Sequence, residues 1–340
     1  MAQKTQLFLH IGHPKTASST LQEFLFKNWR AIKAAGYVMP TAEFGISSEQ
    51  TPPNNTLWSL QKMREAQDVS ALMNWIIKAQ TEYPDSKLLL ASECLIQPEW
   101  PALFQAISQA VDIQLIYYVR RQDQLLLSAW RQWGLKRGLS LDEFLARRLK
   151  NKQPDFSETV NAWSTKANVK QHHIRFIQAP FLDGKDLLED FCAFTNLDLG
   201  NLERVNDQNV SVDARLALFL SNHSELFSSV HDEDIFDLLR SPDGEEPAVR
   251  LHFNEDQFNL IHAVFEPLNQ SLLKTYQPDC FGKAVISHNS ARLADMNAAA
   301  SPADQLTYVA ERTYACEKPT HPKIEQLKRI LQEQYGVTDV

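Results

Sequence analysis

Leu7 to Ile11 is an apolar run that stops at Gly12, His13 and Pro14, the pattern of a buried strand entering a tight loop. Leu21, Phe24, Leu25, Asn28 and Ile32 then fall at helical spacing, with Ser18 or Ser19 available as the N-cap and Gly36 as the stop. Residues 41–56 are polar and carry the turn Pro52-Pro53-Asn54-Asn55, so they predict a loop on the face where the first strand ends. Two helical stretches follow, 57–67 and 69–82, and then two more buried-strand candidates, Lys87–Ser92 and Ile113–Val119. Further on come a helical pattern over Gln122–Arg137, a helix over Leu141–Leu149 capped by Ser140, a strand over His173–Gln178 and a helix over Asp186–Phe194. Residues 210–285 read as helix-rich, with Asn254 capping a helix that bears Phe258, Ile261 and Phe265 and that Pro267 should kink or end. The Ala, Asn and Ser-rich stretch 287–301 reads as a linker before short helices at 302–316 and 321–335. Apolar strands alternating with helices predict an α/β fold, a three-layer sandwich with a central parallel sheet covered on both faces.

Composition narrows what such a chain can hold. With 340 residues, 44% of them hydrophobic and 22% charged, there is room for one large domain or two small ones. Lys+Arg 34 against Asp+Glu 42 gives a net charge of −8, so no whole-chain positive field draws in nucleic acid or an anionic membrane surface. Any anion must be caught by a local site. Cys94, Cys192, Cys280 and Cys316 are far apart and form no CxxC pair, which fits reduced thiols of an intracellular protein. The start of the chain has no apolar leader and nowhere do about 18 apolar residues run together, so the expectation is a cytoplasmic protein without a transmembrane segment.

Three places carry candidate chemistry. Pro14-Lys15-Thr16-Ala17-Ser18-Ser19-Thr20 lies between a predicted strand and a predicted helix. Amides at a helix start, the positive end of its dipole, several hydroxyls and the Lys15 ammonium form an anion cradle; a capped helix beside an exposed lysine is the plainer reading. The sequence is not a Walker A loop, because Gly12 stands three residues before Lys15 and G-x-x-x-x-G-K-[ST] is absent. The shorter loop suits a smaller anion. Tyr118-Val119-Arg120-Arg121-Gln122-Asp123 ends another strand, where a guanidinium projects into the crevice that binds ligands in open α/β sheets, unless it pairs with Asp123 at the surface. Ser92-Glu93 ends a third, and Glu93 is there either a general base or a helix-capping carboxylate.

The runs LHIGHPKTASSTLQ at 9–22, LLASE at 89–93 and YVRRQDQLLLSAWRQ at 118–132 resemble the sulfotransferases that use 3′-phosphoadenosine 5′-phosphosulfate (PAPS), in particular their bacterial branch. Weaker similarity continues through Trp163, 181–194 and Asn254–Tyr276, so the resemblance spans roughly residues 5–280. It implies a P-loop-like phosphosulfate-binding loop, here Lys15, Thr16, Ala17, Ser18, Ser19 and Thr20, and a 3′-phosphate pair in Arg120 and Ser128, eight positions apart, with Arg121 in the more variable neighbouring place. Ala17 stands where the family usually has glycine, which matters only if the loop needs a positive φ there. The family's glycine-rich C-terminal segment over the nucleotide has no counterpart here. The implied organisation is a sulfotransferase-like α/β domain over 1–285, with 286–340 as linker and C-terminal helical extension.

The activity implied is in-line transfer of the sulfuryl group to a hydroxyl or amine of a small-molecule or carbohydrate acceptor, the same positioning task as phosphoryl transfer. Lys15 and the amides of 16–19 would stabilise the leaving oxygen while Glu93, the family's matching carboxylate, takes the acceptor's proton. His13 borders the cradle and can touch donor or acceptor, so a histidine base stays open; His10 reads as a packed residue, and His172 and His173 as structural. No His/Cys/Asp cluster has metal-ligand spacing, so no metal is expected. The acceptor wall is open between loop 41–56, the helix with Arg131, Gln132 and Lys136, and the C-terminal helices; Trp58, Trp130 and Trp133 read as core or as stacking platforms. The competing classes are a P-loop-type small-molecule kinase and a nucleotide-binding protein without catalysis.

Overall fold

The chain is described by a computed structural model over residues 4–205, 212–240, 249–287 and 301–338. In chain order its elements are β1 (Thr5–Ile11), α1 (Ser18–Lys27), α2 (Trp29–Ala34), β2 (Tyr37–Val38), α3 (Leu57–Ala66), α4 (Ser70–Glu82), β3 (Lys87–Ser92), α5 (Trp100–Ala110) and β4 (Val111–Val119). Then follow α6 (Gln122–Ala129), α7 (Leu141–Lys150), α8 (Phe156–Lys166), β5 (Gln171–Phe176) and α9 (Leu187–Thr195). The remaining helices are α10 (Ala214–Leu220), α11 (Asp234–Leu239), α12 (Glu255–Tyr276), α13 (Pro302–Tyr314) and α14 (Pro322–Tyr335).

The strands form one sheet in the order β2-β3-β1-β4-β5, and every pairing is parallel. β1 is central: Leu9 pairs with Leu90 of β3 and with Leu115 of β4. A parallel sheet must be covered on both faces, which is why β1, β3 and β4 read as nearly continuous apolar runs. On one face Phe8, Leu89, Ile116 and Tyr118 are buried with Leu21 and Phe24 of α1, Ile32 of α2 and Phe191 of α9. On the other, Tyr117 meets Phe156 of α8 at 6.1 Å, and Phe104 of α5 meets Trp163 of α8 edge-on at 5.0 Å. The fold is α/β with a central parallel sheet between helices.

The chain divides into two compact units, Met1–Arg121 with Asp155–Gln208 and Glu266–Val285, and Gln122–Pro154 with Asn209–Phe265 and Ile286–Val340. The first holds the whole sheet; the second is helical among its described residues. Residues 286–340, expected as a separate extension, thus share a unit with two earlier stretches. The linker expected over 287–301 lies, from 288 to 300, outside the described residues.

Several local expectations change. The helical run after Arg121 is not one helix: α6 gives way to a π turn, Trp130–Gly134, and a 3-10 turn, Leu135–Arg137. Gly134 permits it, since a Cβ there would lie 2.7 Å from Trp130 and 2.8 Å from Phe144, while the Trp130 indole donates to the Leu139 carbonyl at 2.9 Å. Ser140 caps α7 in a full capping box with Glu143. The last strand begins two residues earlier than its apolar pattern, at Gln171, and β2 is too short to carry any periodicity. Asn254 receives the Gln257 amide at 2.9 Å as an N-cap should, but α12 runs through Pro267 to Tyr276 rather than ending there.

Candidate functional site

In a parallel sheet all strands end on one edge, and the three central strands β3, β1 and β4 deliver Glu93, the loop 12–17 and Arg120 to it. The loop is tied down at its start, where the Gly12 amide donates to the Ser92 carbonyl at 3.3 Å. It then folds around one acceptor, the His13 carbonyl, which receives the Thr16 amide at 3.2 Å, the Thr16 hydroxyl at 2.6 Å and the Ser18 hydroxyl at 3.3 Å. Gly12 is needed by close approach: a Cβ on it would sit 2.1 Å from Ser18 Oγ.

Lys15 and Ala17 have φ of 68° and 58°, while Thr16 between them keeps a negative φ. Backbone alternating in this way turns successive N–H groups to one side, a concavity that suits an anion. α1 begins immediately afterwards and adds its dipole. Here an expectation is corrected. Neither Ser18 nor Ser19 caps α1: the N-cap is Ala17, left-handed and without a side-chain cap, and both serines lie inside the first turn. Thr16, Ser18 and Thr20 are buried and Ser19 is exposed. Lys15 and His13 are half-buried at the loop's rim, with the His13 ring edge-on to Phe156 at 5.8 Å.

Glu93 opens a 3-10 turn, Glu93–Ile96, and is half-buried. Ser92 precedes it but its hydroxyl is fully buried and makes no capping bond, so the capping reading of this pair loses its serine. α3 packs on the same turn. Loop 41–56 is fastened to the first two helices: Arg30 holds Glu49 through two nitrogens at 2.8–3.1 Å, Lys33 donates to the Ser47 carbonyl at 3.2 Å, and Asn55 reaches Gln22 at 3.4 Å. Trp58, at the start of α3, is 73% exposed, whereas Trp130 is core; Trp133 is half-buried.

Arg120 and Arg121 follow β4 directly and are half-buried. Ser128 is on α6, in the other unit, so its pairing with Arg120 stands on the eight-residue spacing. Lys136, offered above as part of an acceptor wall, is instead locked away within its own unit. Its side chain has no exposure, its ammonium donates to Glu233 at 2.6 Å and to the Val230 carbonyl at 3.2 Å, and it lies 5.9 and 5.8 Å from the Phe227 and Phe236 rings. Arg131 is half-buried, its guanidinium 5.9 Å from the Phe236 ring.

Sequence reading missed a row of polar side chains beneath this edge. His10 of β1 and His173 of β5 flank Tyr118 of β4, each ring 5.9 Å from the tyrosine ring. Tyr118 donates to Asp190 of α9 at 2.6 Å, and His173 Nε2 meets the same carboxylate oxygen. The other oxygen takes the Asp183 amide at 2.6 Å and faces Arg175 at 3.7 Å. Burial works to raise the Asp190 carboxyl, but the bonds and charge of His173 with those of Tyr118 and Asp183 leave it below the usual range. The signal in sequence was an acid at helical spacing from the apolar Leu187 and Phe194.

No protein-family model matches the chain, and no curated protein matches it. Among the described residues no helix is long and apolar enough to cross a membrane, and no group of three or more His, Cys, Asp or Glu could hold a metal ion.

Proposed function

We propose that the protein is a sulfotransferase that moves the sulfuryl group of PAPS to a hydroxyl or amine of a small or carbohydrate-type acceptor. The observation that carries the reading is the left-handed backbone at Lys15 and Ala17 in the run HPKTASST, between the central strand and α1. At the place where the resembled family has glycine, Ala17 adopts the conformation that glycine would supply. The departure therefore costs strain, about 1 kcal/mol, but not geometry.

Lys15 and the amides at the start of α1 then hold the 5′-phosphosulfate, and Arg120, at the end of the neighbouring strand β4, the 3′-phosphate. The acceptor oxygen attacks sulfur, the bond from sulfur to the bridging phosphate oxygen breaks, and the electron pair stays on that oxygen beside Lys15. Glu93, at the adjacent strand end, takes the acceptor's proton. Trp58, exposed on the helix that packs against the Glu93 turn, offers a flat surface for an acceptor ring.

The test is release of 3′,5′-adenosine diphosphate from PAPS in the presence of a panel of sugars and small alcohols. Turnover is expected with at least one acceptor, and Glu93→Gln should lower it about 10²–10⁴-fold with nucleotide affinity intact. Unchanged turnover in that variant would transfer the proton to His13. Phosphoryl transfer from Mg-ATP, with no use of PAPS, would replace this reading by a kinase.

A further inference from the structure

His10 stands two residues before Gly12, 1% exposed, and neither of its ring nitrogens has a hydrogen-bond partner. Burial pushes its pKa down to about 3, so the ring is neutral, with one N–H to donate and one lone pair to offer. Buried polar atoms are nearly always satisfied, and an exception calls for a reason. The Tyr118 hydroxyl donates to Asp190 and makes no bond to His10.

What lies above the ring is the anion loop. His10 Cε1 and Ser18 Oγ both come within 3.3 Å of the point that a Cβ on Gly12 would occupy. Glycine leaves no side chain between them. The Ser18 hydroxyl, in the first turn of α1, makes only a long bond, 3.3 Å, to the His13 carbonyl, which already holds two shorter ones from Thr16. A neutral donor without a partner and a weakly held hydroxyl thus both border the space that Gly12 leaves open.

We propose that His10 is a positioning residue for an oxyanion in this loop: when the anion binds, the Ser18 O–H swings from the His13 carbonyl to the phosphate or sulfate oxygen, and the shift brings Ser18 Oγ into reach of the His10 N–H, which donates to it. The chain N–H to Oγ, then O–H to anion, polarises along its length, and no proton changes owner. The inference rests on the reading of 12–18 as an oxyanion site.

The experiment is titration calorimetry with inorganic phosphate and with 3′,5′-adenosine diphosphate, together with melting curves of the ligand-free protein. His10→Phe keeps the ring and removes both nitrogens. It should melt no lower than the parent yet bind both probes at least tenfold more weakly. His10→Asn, which restores a donor, should recover part of the loss and serves if the phenylalanine variant does not fold. Ser18→Ala should cost at least threefold less affinity in the His10→Phe background than alone, a coupling that a ring serving only to fill space does not produce. Parent-like affinity in both His10 variants, or additive losses with Ser18→Ala, overturns the proposal while leaving the loop reading in place. If the unsubstituted protein binds neither probe, the loop reading falls and this inference with it.

Discussion

His10 and His173 occupy the same face of the same sheet, on opposite sides of Tyr118, and both are buried. Their register is linked through one residue, Ile116, which pairs with both. Yet His173 belongs to a closed knot in which Asp190 collects Tyr118, His173 and the Asp183 amide, whereas both nitrogens of His10 go unpaired. The difference follows position. The knot lies under α9, and the hydrogen bonds that Asp190 collects stiffen the sheet there. His10 lies under the loop whose left-handed residues, Lys15 and Ala17, lead directly into the N-terminus of α1. Unmet hydrogen-bonding capacity is tolerated where a ligand or a loop rearrangement can meet it.

The strongest way to break the comparison is Asp190→Ala, which strands His173 and the Tyr118 hydroxyl in the core. A loss of about 3–5 kcal/mol, or failure to fold, is expected in denaturant melts; a change within about 0.5 kcal/mol would mean that the knot is not structural. Lys15→Ala probes the other region. It should lower kcat/KM for sulfuryl transfer about 10²–10³-fold and shift the melting midpoint by little, since half-buried loop lysines seldom support a core. Equal loss of stability and activity would contradict the division of labour.

Acid should expose the unpaired ring of His10. With a folded pKa near 3 against 6.5 unfolded, His10 leaves stability untouched above pH 6.5. Below it the unfolded chain takes up a proton that the folded protein refuses, so stability falls with pH by up to about 1.4 kcal/mol per unit. Melts between pH 7 and 4.5 should therefore be flatter in His10→Phe than in the parent, although the depressed Asp190 carboxyl adds its own loss at lower pH in both. The smallest effect is Ala17→Gly, which relieves the left-handed strain and, less the extra chain entropy that glycine loses on folding, should add at most about 0.5 kcal/mol without weakening nucleotide binding. A decrease in stability would mean that φ at this position is not the one described.

What the sequence made legible is what local chemistry writes into it. Leu7 to Ile11, Lys87–Ser92 and Ile113–Val119 declare buried parallel strands, and Ser140 and Asn254 declare helix starts, because each signal lies within a few residues of its effect. The loop was legible as a candidate from its residue types, but its backbone was not. An alanine gives no hint that φ will be positive, and serines next to a helix start invite a capping reading that the buried Ser18 hydroxyl does not fulfil. Partners distant in sequence were out of reach. Asp190 meets His173 across a strand and a helix, and Lys136 is enclosed by residues nearly a hundred positions on, so that a lysine expected at a surface became core. The π turn at Trp130–Gly134 similarly depends on Phe144 packing against a glycine.

The central claim, that the loop after β1 holds the phosphate end of PAPS, is tested most directly by titrating the protein with 3′,5′-adenosine diphosphate in the presence of a chelator, beside the same titration with Mg-ATP. Saturable one-site binding of the bisphosphate without any divalent cation is expected, lost or weakened at least tenfold in Lys15→Ala, with much weaker binding of Mg-ATP. No heat with the bisphosphate, or binding confined to Mg-ATP, would contradict it.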